Sequence, residues 1–190
     1  ESELGGLNIY VNNVAAHWDQ GALKLTSEGW QQSVATNLSA CLFGCREAGR
    51  CFVSKRSGSI LIIGSTTAYT LYPGEIAYHV TKSALIPTME GLAAELAPHD
   101  VRVNMLTPGL FMTRMTQQLD FQGEGMKDVL RDIPMNRAGD AFQELAPAAV
   151  LLLSDKLSGY TTGSNFIVDG GAKLRVCQWR TAEELRDMNL

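Results

Sequence analysis

Apolar residues along this chain follow two alternating rhythms: short unbroken runs, and longer stretches with a period near 3.6. The first run, Leu7-Asn8-Ile9-Tyr10-Val11, is rich in β-formers and is stopped by Asn12-Asn13. Thr26 or Ser27 then opens a helix as its N-cap, with Glu28 in the first turn, where the helix dipole favours a carboxylate. Trp30, Val34, Leu38, Cys41, Leu42 and Cys45 recur at spacings of three and four, and Ser57-Gly58 ends the pattern. Ile60-Leu61-Ile62-Ile63 is apolar on both faces, the mark of a parallel strand covered on both sides. A second helix is predicted from Glu75 to Leu96, bent by Pro87 and followed by Pro98. Val101-Arg102-Val103-Asn104-Met105-Leu106 reads as the next strand, closed by Pro108-Gly109. Beyond an irregular stretch come a helix over 142–153 and a last strand, Asn165-Phe166-Ile167-Val168, closed by Asp169-Gly170-Gly171. Strands alternating with helices predict an α/β fold, a doubly wound parallel sheet with helices on both faces.

The length, 190 residues, fits one domain with a core that needs no covalent staple. A partition at 172 leaves 173–190 as a tail, with a turn or two of helix expected at 181–188. Lys and Arg number 16 against 20 Asp and Glu, a net charge of −4, which argues against a nucleic-acid partner. No apolar run is long enough to span a bilayer, and Glu1-Ser2-Glu3 is acidic where a signal peptide is basic, so no membrane association is expected. The cysteines at 41, 45, 51 and 177 form no Cys-x-x-Cys pair and have no histidine at zinc-ligand spacing, so no metal is expected. Cys41 and Cys45 share a helix face and read as buried free thiols, in keeping with a reducing, cytoplasmic compartment.

The irregular stretch from Leu110 to Asp140, with one short helix over 126–131, is longer than compact domains usually carry without a purpose. Phe111, Met112, Met115, Phe121 and Met126 make it apolar, and Gly109, Gly123 and Gly125 make it bendable. It reads as a substrate lid, suited to a cyclic or moderately apolar carbonyl compound.

Tyr78 and Lys82 are four residues apart on the second helix, so both project from one face. An ammonium beside a phenol favours the phenolate and brings the group into range for proton transfer near neutral pH. Alone, this spacing is as easily a solvated helix face. Ser65 changes the reading: it follows the Ile60–Ile63 run and precedes Tyr78 by thirteen residues. It is thereby placed at the carboxyl end of a strand, where open α/β sheets bind ligands. Asn37 is polar among Val34, Leu38 and Cys41 on an inward face, and calls for a partner. Tyr69 and Tyr72 are candidate pocket walls, and His17 and Trp18 candidates for the substrate mouth. His79, about 100° round the helix from Tyr78, is not expected to share its role. His99, Asp155 and Lys156 read as surface.

With these residues in place, the sequence resembles the short-chain dehydrogenase/reductase family over about residues 5 to 172. Asn12-Asn13-Val14-Ala15 resembles the family's Asn-Asn-Ala-Gly segment, Thr36-Asn37-Leu38 its helix asparagine and Gly64-Ser65 its serine. Tyr78-His79-Val80-Thr81-Lys82 resembles its Tyr-x-x-x-Lys. Arg102-Val103-Asn104, Pro108-Gly109 and Thr113 resemble the segment that meets the nicotinamide, and Tyr160 to Gly163 with Val168 to Gly171 the closing strand.

The resemblance implies a Rossmann-type, three-layer fold, of which this chain holds the C-terminal catalytic portion. It implies an oxidoreductase that uses NAD or NADP on a carbonyl or secondary-alcohol substrate. Tyr78 would be the general acid/base and Lys82 would lower its pKa and hold the nicotinamide ribose. Ser65 would hydrogen-bond the substrate oxygen, and Asn37 would position a water that relays protons to Lys82. Asn12, Asn13, Val14 and Ala15 would lie along the cofactor ribose, and Pro108, Gly109 and Thr113 would hold the carboxamide. A homodimer or homotetramer is implied, through the first two long helices.

Two departures stand out. Val14-Ala15 is bulkier than Ala-Gly, and the family's glycine-rich phosphate turn is absent, so a working protein longer at its N-terminus by about 75 residues is expected. The alternative is a non-catalytic fragment or pseudoenzyme serving as an oligomerisation module, which cofactor titration distinguishes. An enoyl reductase is disfavoured, because those enzymes space Tyr and Lys more widely. An isomerase or lyase using the same Tyr-Lys pair stays open.

Overall fold

The computed structural model describes residues 6–17, 21–113, 116 and 124–174. Strand β1, Ile9–Asn12, starts two residues later than the apolar run suggests. Thr26 caps helix α1, Ser27–Ser33, with its hydroxyl accepting from the Gly29 N–H at 3.1 Å. The rod continues through a π-helical stretch, Val34–Ser39, into α2, Ala40–Lys55. It ends at Arg56, in the left-handed region at φ 51°. Strand β2, Gly58–Ile63, leads through a 3₁₀ turn, Thr66–Ala68, to α3, Ile76–Leu96, which runs through Pro87. Strand β3, Val101–Pro108, extends two residues past the run that marked it. Helix α4 spans Glu124–Arg131. Asp140 caps the next helical segment by accepting from the Phe142 and Gln143 N–H groups, and a π-helical turn, Ala141–Leu145, feeds α5, Ala146–Leu153. A short α6, Asp155–Ser158, precedes β4, Asn165–Val168, where the sequence places it.

The sheet order is β1-β2-β3-β4, and every pairing is parallel. Alternation along β2 explains its two apolar faces. Ile60 and Ile62 pack with Val101, Val103 and Met105 against Cys41, Cys45 and Phe52 of α2 and Leu85, Met89 and Ala93 of α3. Leu61 points the other way and packs with Leu106 against Ala148 and Leu152 of α5. Helices therefore cover both faces, giving the doubly wound, three-layer architecture. The paired thiols of Cys41 and Cys45 are fully buried in the first layer, as free cysteines. Trp30 and Leu42, apolar members of the helical pattern, are instead 38% and 39% exposed.

Arg102 corrects an expectation. It stands at the start of β3, six residues and about 20 Å of strand from Pro108. There it is buried on the α5 side, donating to the Leu152 carbonyl at 2.8 Å, the Thr161 carbonyl at 3.3 Å and the Ser59 hydroxyl at 3.2 Å. It is a fastening between layers, far from the carboxyl end of its strand. Asp155, expected as a solvated charge, is 70% exposed in its side chain yet pairs with that guanidinium at 2.9 Å. Among the described residues, no helix is long and apolar enough to cross a membrane.

Candidate active site

Because all four strands are parallel, their carboxyl ends share one edge, and that edge carries Asn12, Ser65, Pro108-Gly109 and Asp169. The chain turns tightly there: a Cβ on Gly109 would lie 2.7 Å from the Asp169 Cα, so only glycine lets β3 and β4 leave the sheet side by side. Asn12 is buried, Pro108 and Gly109 half-buried, and Asn13 exposed. Val14 is 73% exposed, and Ala15 is half-buried.

Ser65 ends the β2 excursion and caps the 3₁₀ turn. Its Oγ accepts from the Thr67 backbone N–H at 3.2 Å and from the Thr67 hydroxyl at 2.9 Å. Its own hydroxyl hydrogen is left to donate, and it hydrogen-bonds Tyr78, stabilising the phenolate. One turn along α3, Lys82 is only 4% exposed and donates to the Ile63 carbonyl at 3.1 Å, with its Nζ 5.7 Å from the Tyr78 ring centroid. Burial lowers the Lys82 pKa to about 8, partly opposed by the charge of Cys41.

Asn37 sits in the π-helical stretch, whose wider turn interrupts the regular face of the rod. Its Oδ1 accepts from the Ala16 N–H at 2.8 Å, and its Nδ2 donates to the Ala16 carbonyl at 2.9 Å and the Thr81 hydroxyl at 3.2 Å. One side chain thus fastens the segment after β1 to the rod and to α3, answering the demand for a partner that its inward position raised. The fold brings Ser65, Tyr78 and Lys82 together, and Asn37 reaches them through Thr81, whose hydroxyl lies 3.0 Å from the Tyr78 carbonyl.

The Tyr78 pKa stands above its ordinary value, because burial, the largest influence, raises it. Ser65 pulls it down, and the charge of Glu75 pushes it up again.

Sequence reasoning missed several partners. The His17 ring meets the Tyr78 ring edge-on, with centroids 5.1 Å apart at 68°, and its Nε2 lies 3.2 Å from Glu75 Oε1. Glu75 precedes Tyr78 by three residues, a same-face spacing that was readable; its meeting with His17 across the fold was not. His79, expected not to share the Tyr78 role, is held by the loop after Ser65. It is buried, its Nδ1 lies 2.9 Å from the Thr67 carbonyl, and its Nε2 accepts the Tyr72 N–H at 2.7 Å. Tyr69 accepts a hydrogen bond from Asn165 at 2.7 Å, which ties the loop after Ser65 to β4.

Thr113 is exposed and engages Thr116, its N–H donating to Thr116 Oγ1 at 2.7 Å. Phe111 is buried and bridges to Gly139, so the two ends of the long loop meet at its base. A cleft of about 80 Å³ opens there between Phe111, Met135 and Val168, and none of the four central side chains lines it. Trp18, Met115, Phe121, Gly123, Cys177 and the expected tail helix lie outside the described residues. Among the described residues no group of three metal-ligating side chains converges.

A parallel α/β sheet carries buried Lys82 beside half-buried Tyr78 and Ser65 at its carboxyl edge, where open sheets of this kind bind ligands. The family model adh_short_C2, described as enoyl-(acyl carrier protein) reductase, matches residues 1–173. A 3-oxoacyl-[acyl-carrier-protein] reductase FabG from Buchnera aphidicola is 35% identical over 165 residues, covering 87% of this chain and 66% of the relative. A 3-oxoacyl-[acyl-carrier-protein] reductase from Bos taurus is 34% identical, covering 92% and 70%. Among solved structures, a gluconate 5-dehydrogenase from Burkholderia cenocepacia in complex with NADP and tartrate superposes with a TM-score of 0.87 at 26% identity. It covers 93% of this chain and 68% of that one. The chain belongs to the short-chain dehydrogenase/reductase family. It spans about two thirds of the length of the curated relatives it matches.

Proposed function

We propose that this chain carries the catalytic portion of an NAD(P)-dependent oxidoreductase that acts on a ketone or the matching secondary alcohol. The observation that carries the reading is the buried Lys82 ammonium beside a phenol that Ser65 hydrogen-bonds, at the carboxyl edge of a parallel sheet. Lys82 makes one hydrogen bond among the described residues, to Ile63, and an ammonium has three N–H donors. The remaining donors fit the hydroxyls of a cofactor ribose. Asn12, Asn13, Val14 and Ala15 would border that ribose, and Pro108, Gly109 and Thr113 would hold the carboxamide. When bound, the nicotinamide supplies the hydride chemistry.

The remaining steps belong to the protein. With substrate bound, the Ser65 hydroxyl hydrogen turns from Tyr78 to the substrate oxygen and fixes the carbonyl beside Tyr78. As the carbonyl carbon is reduced, the proton on Tyr78 Oη moves to the developing alkoxide, leaving a phenolate; in oxidation the phenolate takes the alcohol proton back. Lys82 stabilises the phenolate, and Asn37 holds the water through which the site regains its proton. The relatives' names make a 3-oxoacyl thioester one candidate substrate. The apolar stretch from Leu110 to Asp140 acts as the lid. A homodimer or homotetramer belongs to the reading, supported by exposed Leu42 and Phe43 on α2 and Ile76 and Val80 on α3. So does a reducing, cytoplasmic setting, which suits the free Cys41, Cys45 and Cys51.

The test is Tyr78→Phe. Reduction of a ketone panel should fall by about 10³-fold with cofactor Kd unchanged, since the lost hydroxyl is the acid. A fully active variant would overturn the assignment. A chain that binds no nicotinamide cofactor saturably supports the alternative, a non-catalytic oligomerisation module.

A further inference from the structure

Thr107 and Asn165 are polar residues on the sheet face that packs against α2 and α3, a face whose centre is apolar. Alternation along β3 puts Thr107 on the side of Val101, Val103 and Met105, and Asn165 pairs in register with Met105. Polar groups in such a place require partners. Asn165 is half-buried and has two: its Oδ1 accepts from the buried Thr107 hydroxyl at 2.6 Å, and its Nδ2 donates to the Tyr69 hydroxyl at 2.7 Å. An amide holds an acceptor and a donor at once, which suits it to join two hydroxyls in this way.

Both ends of this chain of side chains return to the segment that carries Ser65. At one end Thr107 lies against Gly64: a Cβ on Gly64 would be 2.7 Å from Thr107 Oγ1 and 2.9 Å from Met105 Sδ. The residue before Ser65 thus rests directly on β3. At the other end Tyr69 closes the 3₁₀ turn that Ser65 caps, its N–H donating to the Thr66 carbonyl at 2.9 Å. The backbone from Gly64 to Tyr69 and the side chains of Tyr69, Asn165 and Thr107 therefore form a closed ring, with Ser65 in its backbone half. Other bonds hold the turn to itself and to α3: the Ala68 N–H donates to the Ser65 carbonyl at 3.0 Å, and the Ser83 hydroxyl to the Ala68 carbonyl at 3.2 Å. Those bonds place the turn against the helix that bears Tyr78. The Tyr69–Asn165–Thr107 tie places it against the sheet.

We propose that Asn165 is a positioning residue for Ser65: joined at once to Thr107 and Tyr69, it fixes the height of the Ser65 turn above the sheet, and with it the point at which the Ser65 hydroxyl meets the substrate oxygen. The inference rests on the reading that Ser65 holds that oxygen. Asn165 acts through the turn and not on the substrate. Charge grows on the oxygen as the carbonyl is reduced, so a displaced Ser65 donor loses more in the transition state than in the bound ketone. Loss of the tie should therefore appear in kcat more than in KM.

The experiment joins amide hydrogen exchange to steady-state kinetics on the full chain. The exchange probe is the Thr67 N–H, which donates to Ser65 Oγ at 3.2 Å and reports the Ser65 cap without cofactor or turnover. Asn165→Leu removes both bonds of the tie at similar volume. Tyr69→Phe removes one and keeps the ring beneath Lys173, whose Nζ lies 4.2 Å from its centroid; it serves if the leucine variant does not fold. In both, Thr67 exchange should rise about tenfold and kcat for ketone reduction should fall about tenfold, with KM and cofactor Kd within about twofold of the parent. Thr107→Val should shift both readouts the same way, and Thr107→Ser, which keeps the hydroxyl, should restore them. Tyr160→Phe, at a fully exposed tyrosine, should move neither. Unchanged Thr67 exchange in folded Asn165→Leu and Tyr69→Phe overturns the tie. Raised exchange with unchanged kcat overturns the positioning role, and so does a Thr107→Ser variant as slow as Thr107→Val, which would assign the effect to packing. Raised exchange in the variants of a parent that reduces no ketone supports the tie and counts against the oxidoreductase reading.

Discussion

Lys82 shows, at the scale of one residue, how the site conflicts with the stability of the fold. Its ammonium is buried with one carbonyl as hydrogen-bond partner among the described residues, and burial lowers its pKa to about 8. Below that pH, folded and unfolded chains both carry the proton, and the folded state bears the full desolvation penalty. Between about 8 and the ordinary lysine value near 10.4, only the unfolded chain holds the proton, so stability rises with pH across that window. The shift corresponds to about 3 kcal/mol, of which the bond to Ile63 returns about 1 kcal/mol. Lys82→Met should therefore stabilise the chain at pH 7 by about 2 kcal/mol in urea unfolding while removing turnover. The advantage should shrink steadily between about pH 8 and 10.5. A Met variant less stable than the parent at pH 7 would show that the ammonium is better solvated than its burial indicates.

At the scale of elements, the loop between β2 and α3 decides how Ser65 and Tyr78 meet, and His79 holds that loop. Its ring reaches both ends, with Nδ1 against the Thr67 carbonyl and Nε2 accepting from the Tyr72 N–H. With a proton on Nδ1 the ring donates to Thr67 while Nε2 accepts from Tyr72. His79→Ala should raise the amide exchange rate of Tyr72 about tenfold, the factor for about 1.4 kcal/mol, and raise KM more than it lowers kcat. Unchanged Tyr72 exchange would assign the loop's order to its other contacts. The difference between what was legible and what was not is clear here. Tyr78, Lys82 and Ser65 are local in sequence, and a helix period and a strand end suffice to bring them together. His79 was legible only as the residue that does not share the Tyr78 face, because its partners lie in a loop whose path no periodicity encodes. The π-helical stretch at Asn37 was hidden for a related reason: its apolar spacing is compatible with an unbroken helix, and only the demand of a buried amide for partners marked it.

Across the whole molecule, strand runs and helical periods were enough to predict a parallel sheet covered on both faces, since each run apolar on both sides requires two layers. How the layers are fastened was not legible. Arg102 carries the same Arg-Val-Asn pattern that resembles a cofactor segment, yet its position at the amino end of β3 makes it a tie between the sheet and the α5–α6 layer. Its guanidinium serves the carbonyls of Leu152, Leu153 and Thr161 as well as Ser59 and Asp155. If the ion pair were the main bond, removing either partner would have a similar effect. The geometry says otherwise: the Arg102 side chain is 9% exposed and the Asp155 side chain 70%, so the carboxylate keeps its water while the guanidinium has none to return to. Asp155→Ala should then lower stability by less than about 1 kcal/mol, as for other solvated pairs. Arg102→Leu should lower it by about 3 kcal/mol or more, because it leaves buried carbonyls at the end of α5 without donors. The two variants, compared by urea unfolding at one pH, separate the terms directly. Equal losses would place the fastening in the ion pair. A large loss for Arg102→Leu alone would show that β3 holds the outer layer through the unpaired carbonyls at the end of its helix.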